Sequence, residues 1–297
     1  MANRRTPALG LRIAPPGSVI EWRLRISKPA KSRFGGYCLL MRLPLLPRPS
    51  LLSASFTLFR AGFALICFLA AARAPAQSPL PAVEPANPGA IRVALVGDST
   101  VQTKSGWGDA LAPLFKPGVE CINRGRGGRS SKSYRAEGHW AAVLELKPDF
   151  ILIQFGHNDQ PGKGPLRETD PNTTYADNMA RYVDEARAAG AQPILITSLT
   201  RRTFDPQGKI VSTLTPYVEA VKRVAEAKHV PLLDLHARSI EQAEKLGPAG
   251  CEEMNAVSAD PAKPDHTHLS ARGAELVAPL VAGEIRQAAP DLARYLR

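Results

Sequence analysis

An α/β fold, with a five-stranded parallel sheet between two helical layers, is predicted by two features of this chain. Five short apolar runs (Ile91–Val96, Val119–Ile122, Phe150–Phe155, Pro193–Ile196 and Val230–Leu235) read as strands covered on both faces, because their apolar residues are continuous rather than alternating. Amphipathic stretches separate them, clearest at Tyr175–Ala189 and Tyr217–Lys228, with Ser270–Ala288 after the last strand. Strand and helix in alternation give a three-layer α/β/α sandwich.

Taken in order, the elements place their own ends. The first strand runs into Gly97-Asp98-Ser99-Thr100, the second into the glycine-rich Asn123 to Ser130, and the third into Gly156-His157-Asn158-Asp159. Ala189-Gly190-Ala191 ends one helix before its strand, and Ser270 caps the last helix. In parallel sheets ligands gather beyond the strand C-termini. Three polar islands directly after three strands therefore meet at one edge.

The chain has 297 residues and a formal charge of +11, which taken whole would suggest an acidic partner such as nucleic acid. The charge is confined to residues 1–76, which hold twelve Lys/Arg against the single acid Glu21. The remainder is balanced at 26 basic and 26 acidic residues, so no nucleic-acid partner is expected. Arg42, Arg48 and Arg60 precede an apolar run from Ala61 to Ala72, and Ala74-Pro75-Ala76 offers small residues for cleavage before Gln77. That pattern is an export signal, expected to direct the mature part to the periplasm or outside the cell. Its twelve apolar residues are too few to span a bilayer, so no stable membrane insertion is expected after cleavage. Residues 1–40 are rich in proline and arginine without helical or strand period, and synthesis is expected to begin at Met41. Residues 77–90 form a proline-rich linker, and 91–297 the single folded domain. Cys121 and Cys251 remain in the mature part, either paired or as two free thiols. No metal-ligand cluster is apparent in the sequence, and no cofactor is expected.

The chemistry lies in four islands. Ser99, at a strand-to-helix turn, can expose its hydroxyl as a nucleophile and its own backbone N–H to a reacting carbonyl oxygen; alone, it could equally cap a helix. Asn123-Arg124-Gly125-Arg126-Gly127-Gly128-Arg129-Ser130 lacks the Lys-Ser/Thr ending of a P-loop and the spacing of a dinucleotide fingerprint. Its glycines let a backbone N–H face a substrate oxygen. Asn158 carries an amide that donates without titrating, which suits an oxyanion contact. His157 reads as structural or substrate-facing. Asp265 stands three residues before His268, so that on one loop the carboxylate can hold the imidazole and fix its tautomer. Together these supply a nucleophile, oxyanion donors, a base and the acid that orients it: the parts of a serine esterase.

In this order the islands resemble the conserved blocks of the SGNH (GDSL-like) hydrolases, and their longer wording, with Ser133-Tyr134, Tyr175-Ala176-Asp177-Asn178, Arg201-Arg202 and Leu232-Leu233-Asp234-Leu235, resembles the rhamnogalacturonan acetylesterase branch. The resemblance implies a flavodoxin-like sheet, Ser99 as nucleophile with Asp265 and His268 completing the triad, and Ser99, Gly128 and Asn158 as oxyanion donors. It implies an acetylated polysaccharide or oligosaccharide as partner and, for the pectic branch, Arg126, Arg129, Arg201 and Arg202 as contacts to galacturonate carboxylates. Glu252–Pro264 and His266 depart from the branch's usual wording, which leaves the triad intact and the choice of glycan open between rhamnogalacturonan and another acetylated glycan such as xylan. A lipid or thioester substrate, or an inactive carbohydrate-binding protein, are the other readings.

Overall fold

The computed structural model describes residues 89–297. The export signal and nearly all of the linker lie outside the described residues.

The elements are β1 (Ile91–Gly97), α1 (Gly108–Leu111), β2 (Val119–Asn123), α2 (Ser131–Ala136), α3 (His139–Leu144), β3 (Phe150–Gln154), α4 (Thr174–Ala188), β4 (Gln192–Ile196), α5 (Thr215–Lys228), β5 (Leu232–Leu233), α6 (Leu235–Cys251), β6 (Asn255–Ala256), β7 (Asp265–Leu269), α7 (Ala271–Ala288) and α8 (Pro290–Ala293). β1 to β5 form the expected parallel sheet in the order β2-β1-β3-β4-β5. The chain leaves β1 in one direction for β2 and in the other for β3, so the sheet's order reverses between β1 and β3. A crevice opens beyond the strand ends at such a reversal.

The alternation of side chains across the strands divides the core in two. Val93, Leu95, Phe150 and Leu152 face one apolar cluster, completed by Val277, Val281 and Ile285 of α7. Ala94, Val96, Ile151 and Ile153 face the other, completed by Tyr175, Met179, Tyr182 and Val183 of α4 and by Val221 of α5. The helical residues recur at three and four positions, which keeps one stripe of each helix on the sheet. Burying both faces makes the central strands the rigid floor of the site.

Two differences from the sequence expectations concern the fifth strand and the segment that carries the Asp–His pair. The fifth strand is only Leu232–Leu233, because the Val230 N–H closes the end of α5 on the Ala225 carbonyl, 3.0 Å away, and Asp234 already caps α6. Asp265 to His268 lie on a strand, β7, paired antiparallel with β6, rather than on a loop. Of the two states left open for the cysteines, Cys121 and Cys251 take that of free thiols, and burial pushes the Cys121 thiol up to about 12.

Gly97 ends β1 where space is exhausted. A Cβ there would stand 2.5 Å from Val101 Cγ2 and 2.6 Å from the Gln154 carbonyl oxygen. Gly97→Ala is therefore expected to cost roughly 1–3 kcal/mol of stability, as overpacking does, read from urea unfolding of the folded domain.

Candidate active site

Past Gly97 the backbone turns sharply. Asp98, fully buried, folds its carboxylate over that turn: Oδ1 accepts from the Thr100 N–H at 2.8 Å and from its hydroxyl at 2.7 Å. Gln154, at the end of β3, donates to Thr100 Oγ1 at 2.6 Å and accepts from the Trp107 indole at 3.1 Å. This buried chain of polar groups ties the ends of β1 and β3 together beneath Ser99. Burial pushes the Asp98 carboxyl up, but the His157 ring beside it, with Nδ1 3.4 Å from Oδ2, and the Thr100 donors outweigh burial and hold it below the usual range. His157 is buried beside Asp98.

Ser99 Oγ lies 2.8 Å from His268 Nε2, and His268 Nδ1 lies 2.7 Å from Asp265 Oδ2. The other carboxylate oxygen, Oδ1, accepts from the backbone N–H groups of Thr267 and His268, both at 2.9 Å. Burial raises the Asp265 carboxyl, but the His268 and Thr267 donors outweigh it and keep the group below the usual range. An ionised carboxylate only accepts, so the Nδ1–H points to Asp265 and the Nε2 lone pair points to the Ser99 hydroxyl. That tautomer can take the hydroxyl's proton.

Beside Ser99 the loop after β2 continues its pairing with β1: Arg124 N–H donates to the Leu95 carbonyl at 2.8 Å, and Arg126 N–H to that of Gly97 at 2.9 Å. Asn123 anchors the loop by donating to the Val101 carbonyl and to Asp109. Gly128 takes φ of 75°, a left-handed conformation that glycine adopts without strain. Ser130 then caps α2 in a reciprocal pair with Ser133. Among the described residues, the N–H groups of Ser99 and Gly128 donate to no protein acceptor. Asn158 donates one amide hydrogen to the Arg129 carbonyl at 3.1 Å, which fixes the side chain and leaves the second hydrogen for a ligand.

Two residues that the sequence reading missed join these parts. Gln102 Oε1 accepts from the Gly127 N–H, and its Nε2 donates to Ser105 Oγ at 2.9 Å. Ser105 Oγ donates to the Ser99 carbonyl at 2.8 Å, while the Ser105 carbonyl accepts from Leu269 N–H at 2.9 Å. The glycine loop, the nucleophile's turn and the strand carrying the histidine are thus held by one relay.

The four arginines separate. Arg202 is corrected: it is 2 % exposed, and its guanidinium donates to the His268 carbonyl at 2.6 Å and to Asn255 Oδ1 at 2.5 Å. Burial lowers it to about 10. It pins β7 from beneath and is a positioning residue with no face toward a substrate. Arg129 is engaged by Glu137 at 2.8 Å and by the Gly127 carbonyl at 2.9 Å. Arg201 donates to Thr213 Oγ1 at 3.0 Å. Among the described residues, the Arg126 guanidinium meets no hydrogen-bonding or acidic partner.

The model of the GDSL-like lipase/acylhydrolase family matches residues 93–276, and the chain belongs to that family. As a member it is an enzyme of the carboxylic ester hydrolase class. A rhamnogalacturonan acetylesterase of Bacillus subtilis (strain 168) is 37% identical over 222 residues, covering 69% of this chain and 94% of that protein. A rhamnogalacturonan acetylesterase of Emericella nidulans is 30% identical over 209 residues, covering 62% and 80%. A solved acetylxylan esterase of Geobacillus stearothermophilus shares the fold, with a TM-score of 0.53 at 21% identity over 66% of this chain and 95% of that one.

Asp159, next to Asn158 in the chain, is fully buried. Its buried carboxylate accepts from Ser131 N–H at 3.1 Å, Ser131 Oγ at 2.5 Å and Thr169 Oγ1 at 2.9 Å. Burial outweighs these donors and pushes the carboxyl up to about 7 from 3.8. A raised carboxyl binds its proton more readily in the folded state, so its contribution to stability is complete below the unfolded value and is lost as pH rises through about 7. Asp159→Asn is expected to remove this slope between 3.8 and about 7, read as the melting temperature of variant and wild type across that window.

Proposed function

We propose that this chain is an exported carbohydrate esterase that removes O-acetyl groups from rhamnogalacturonan through an acyl-enzyme on Ser99. The observation that carries the chemistry is the unbroken Ser99–His268–Asp265 relay, at 2.8 and 2.7 Å, on the open edge of the sheet. The similarity to named rhamnogalacturonan acetylesterases supports the substrate. Export follows the leader's charged, apolar and small-residue order.

In the reaction His268 Nε2 takes the proton from Ser99 Oγ as the oxygen attacks the acetyl carbonyl carbon. The carbonyl oxygen becomes an oxyanion, met by the N–H groups of Ser99 and Gly128 and by the free amide hydrogen of Asn158. Asp265 stabilises the imidazolium. The tetrahedral species collapses by breaking the bond to the sugar oxygen, which leaves with the proton from His268. Water, deprotonated in turn by His268, then attacks the acetyl-serine and releases acetate and free Ser99. Arg126, whose guanidinium meets no protein partner among the described residues, and Arg201 are the proposed contacts for substrate carboxylates.

Acetate release from acetylated rhamnogalacturonan and acetylated xylan by residues 77–297 tests the reading. Wild type is expected to favour the pectic polymer, and Ser99→Ala to release no acetate. Release from xylan alone would move the substrate, and release from neither by the folded protein would remove the acetylesterase assignment. In the same assay Asn158→Ala is expected to lower turnover about a hundredfold or more, the usual effect of deleting one oxyanion donor. Turnover near wild type would take Asn158 out of that role.

A further inference from the structure

The segment between β3 and α4 brings a further cation to the oxyanion side of the site. Lys163 to Glu168 form a tight loop in which the N–H groups of Arg167 and Glu168 both donate to the Gly164 carbonyl, at 2.9 and 3.0 Å. Gly164 N–H returns to the Glu168 carboxylate at 2.6 Å, and Lys132 Nζ holds the Pro165 carbonyl at 2.7 Å. Arg167 is oriented at its root, with Nε donating to the Lys163 carbonyl at 2.8 Å. Its Nη1 reaches the Gly128 carbonyl at 3.5 Å and would stand 3.9 Å from a Cβ on that glycine. A half-buried guanidinium thus hangs over the residue whose N–H meets the oxyanion.

The fork is not spent on the protein. Several other arginines of the domain are matched with acids: Arg92 with Glu120, Arg129 with Glu137, Arg135 with Glu185 and Arg238 with Glu284. Arg167 has no carboxylate partner among the described residues, and Glu168 beside it is taken up by Gly164. With Nε fixed and Nη1 only lightly engaged, both Nη2 hydrogens and one on Nη1 meet no protein acceptor among the described residues. A planar pair of donors in that state suits the two oxygens of a carboxylate.

Resting on the acidic-glycan reading above, we infer that Arg167 is a specificity-determining residue that binds the carboxylate of a uronic acid lying within about one sugar ring of the scissile acetyl group. The Gly128 N–H holds the acyl oxygen while the guanidinium over the same glycine holds the uronate. The pair therefore sets which ester on an acidic glycan enters.

The test uses acetylated rhamnogalacturonan oligosaccharides with free carboxylates and the same oligosaccharides with those carboxylates methyl-esterified. The readout is the ratio of kcat/KM on the two, for wild type, Arg167→Gln and Arg167→Lys. Wild type is expected to favour the free acid by about tenfold, in keeping with a charge-assisted bidentate contact. Arg167→Gln is expected to bring the ratio close to one, chiefly through KM. Arg167→Lys is expected to keep part of it, since an ammonium supplies charge without the fork. A full wild-type ratio in Arg167→Gln overturns the inference and leaves the acidic-glycan reading standing. Equal rates on both substrates by wild type overturn carboxylate recognition at this site and leave the esterase. No release from either by wild type overturns the functional reading and the inference with it.

Discussion

Gln102 and Ser105 sit in a stretch that is neither strand nor helix, yet the geometry of the site hangs on them. One amide faces the glycine loop through its oxygen and Ser105 through its nitrogen. The Ser105 hydroxyl donates to the carbonyl of Ser99, and the Ser105 carbonyl accepts from the N–H of Leu269, next to His268. The nucleophile and the oxyanion loop follow β1 and β2 of the parallel sheet, while the base sits on β7 of the separate two-stranded sheet. A relay with both ends of the amide occupied fixes their separations, because neither end can rotate without losing a buried or half-buried bond.

Below the relay, polar groups are buried to make the floor stiff. Asp98, Thr100, Gln154 and Trp107 run as a chain from the end of β1 to the end of β3. Asp159 ties the turn after β3 to the start of α2 and to Thr169, and its own carbonyl accepts from the Tyr217 hydroxyl at 3.0 Å. Burying such groups costs stability unless each finds a partner. Here the bonds run between elements, so what they secure is relative position rather than the folding of any one segment.

The parallel sheet could be read from its sequence because strands buried on both faces must be continuously apolar, and Leu95-Val96 and Ile151-Leu152-Ile153 leave no other reading. The triad could be read because Asp265 and His268 are neighbours in the chain. What escaped depends on contacts between distant residues. Nothing near Gln102 or Ser105 signals that Gly127 and Leu269 arrive there. Arg201 and Arg202 are indistinguishable by type, and only the fold separates them. Arg201 reaches Thr213, while Arg202 is buried against the His268 carbonyl. α6 escaped for a local reason: Gly247, at φ 69° and ψ 174°, and Pro248 interrupt its period.

Asp265 and His268 share a single five-residue strand. Acid and base therefore move as one rigid piece, and their mutual geometry is set by the local backbone through the N–H groups of Thr267 and His268. A triad assembled from three separate loops has two independent gaps to hold. This one has a single gap, between His268 and Ser99, bridged by Ser105 above and braced by Arg202 below. Mechanical disturbance of the hairpin is thus channelled into one coordinate: β7 shifts, the serine loses its base, and the base keeps its acid. Closing the hairpin again restores the whole relay in one movement.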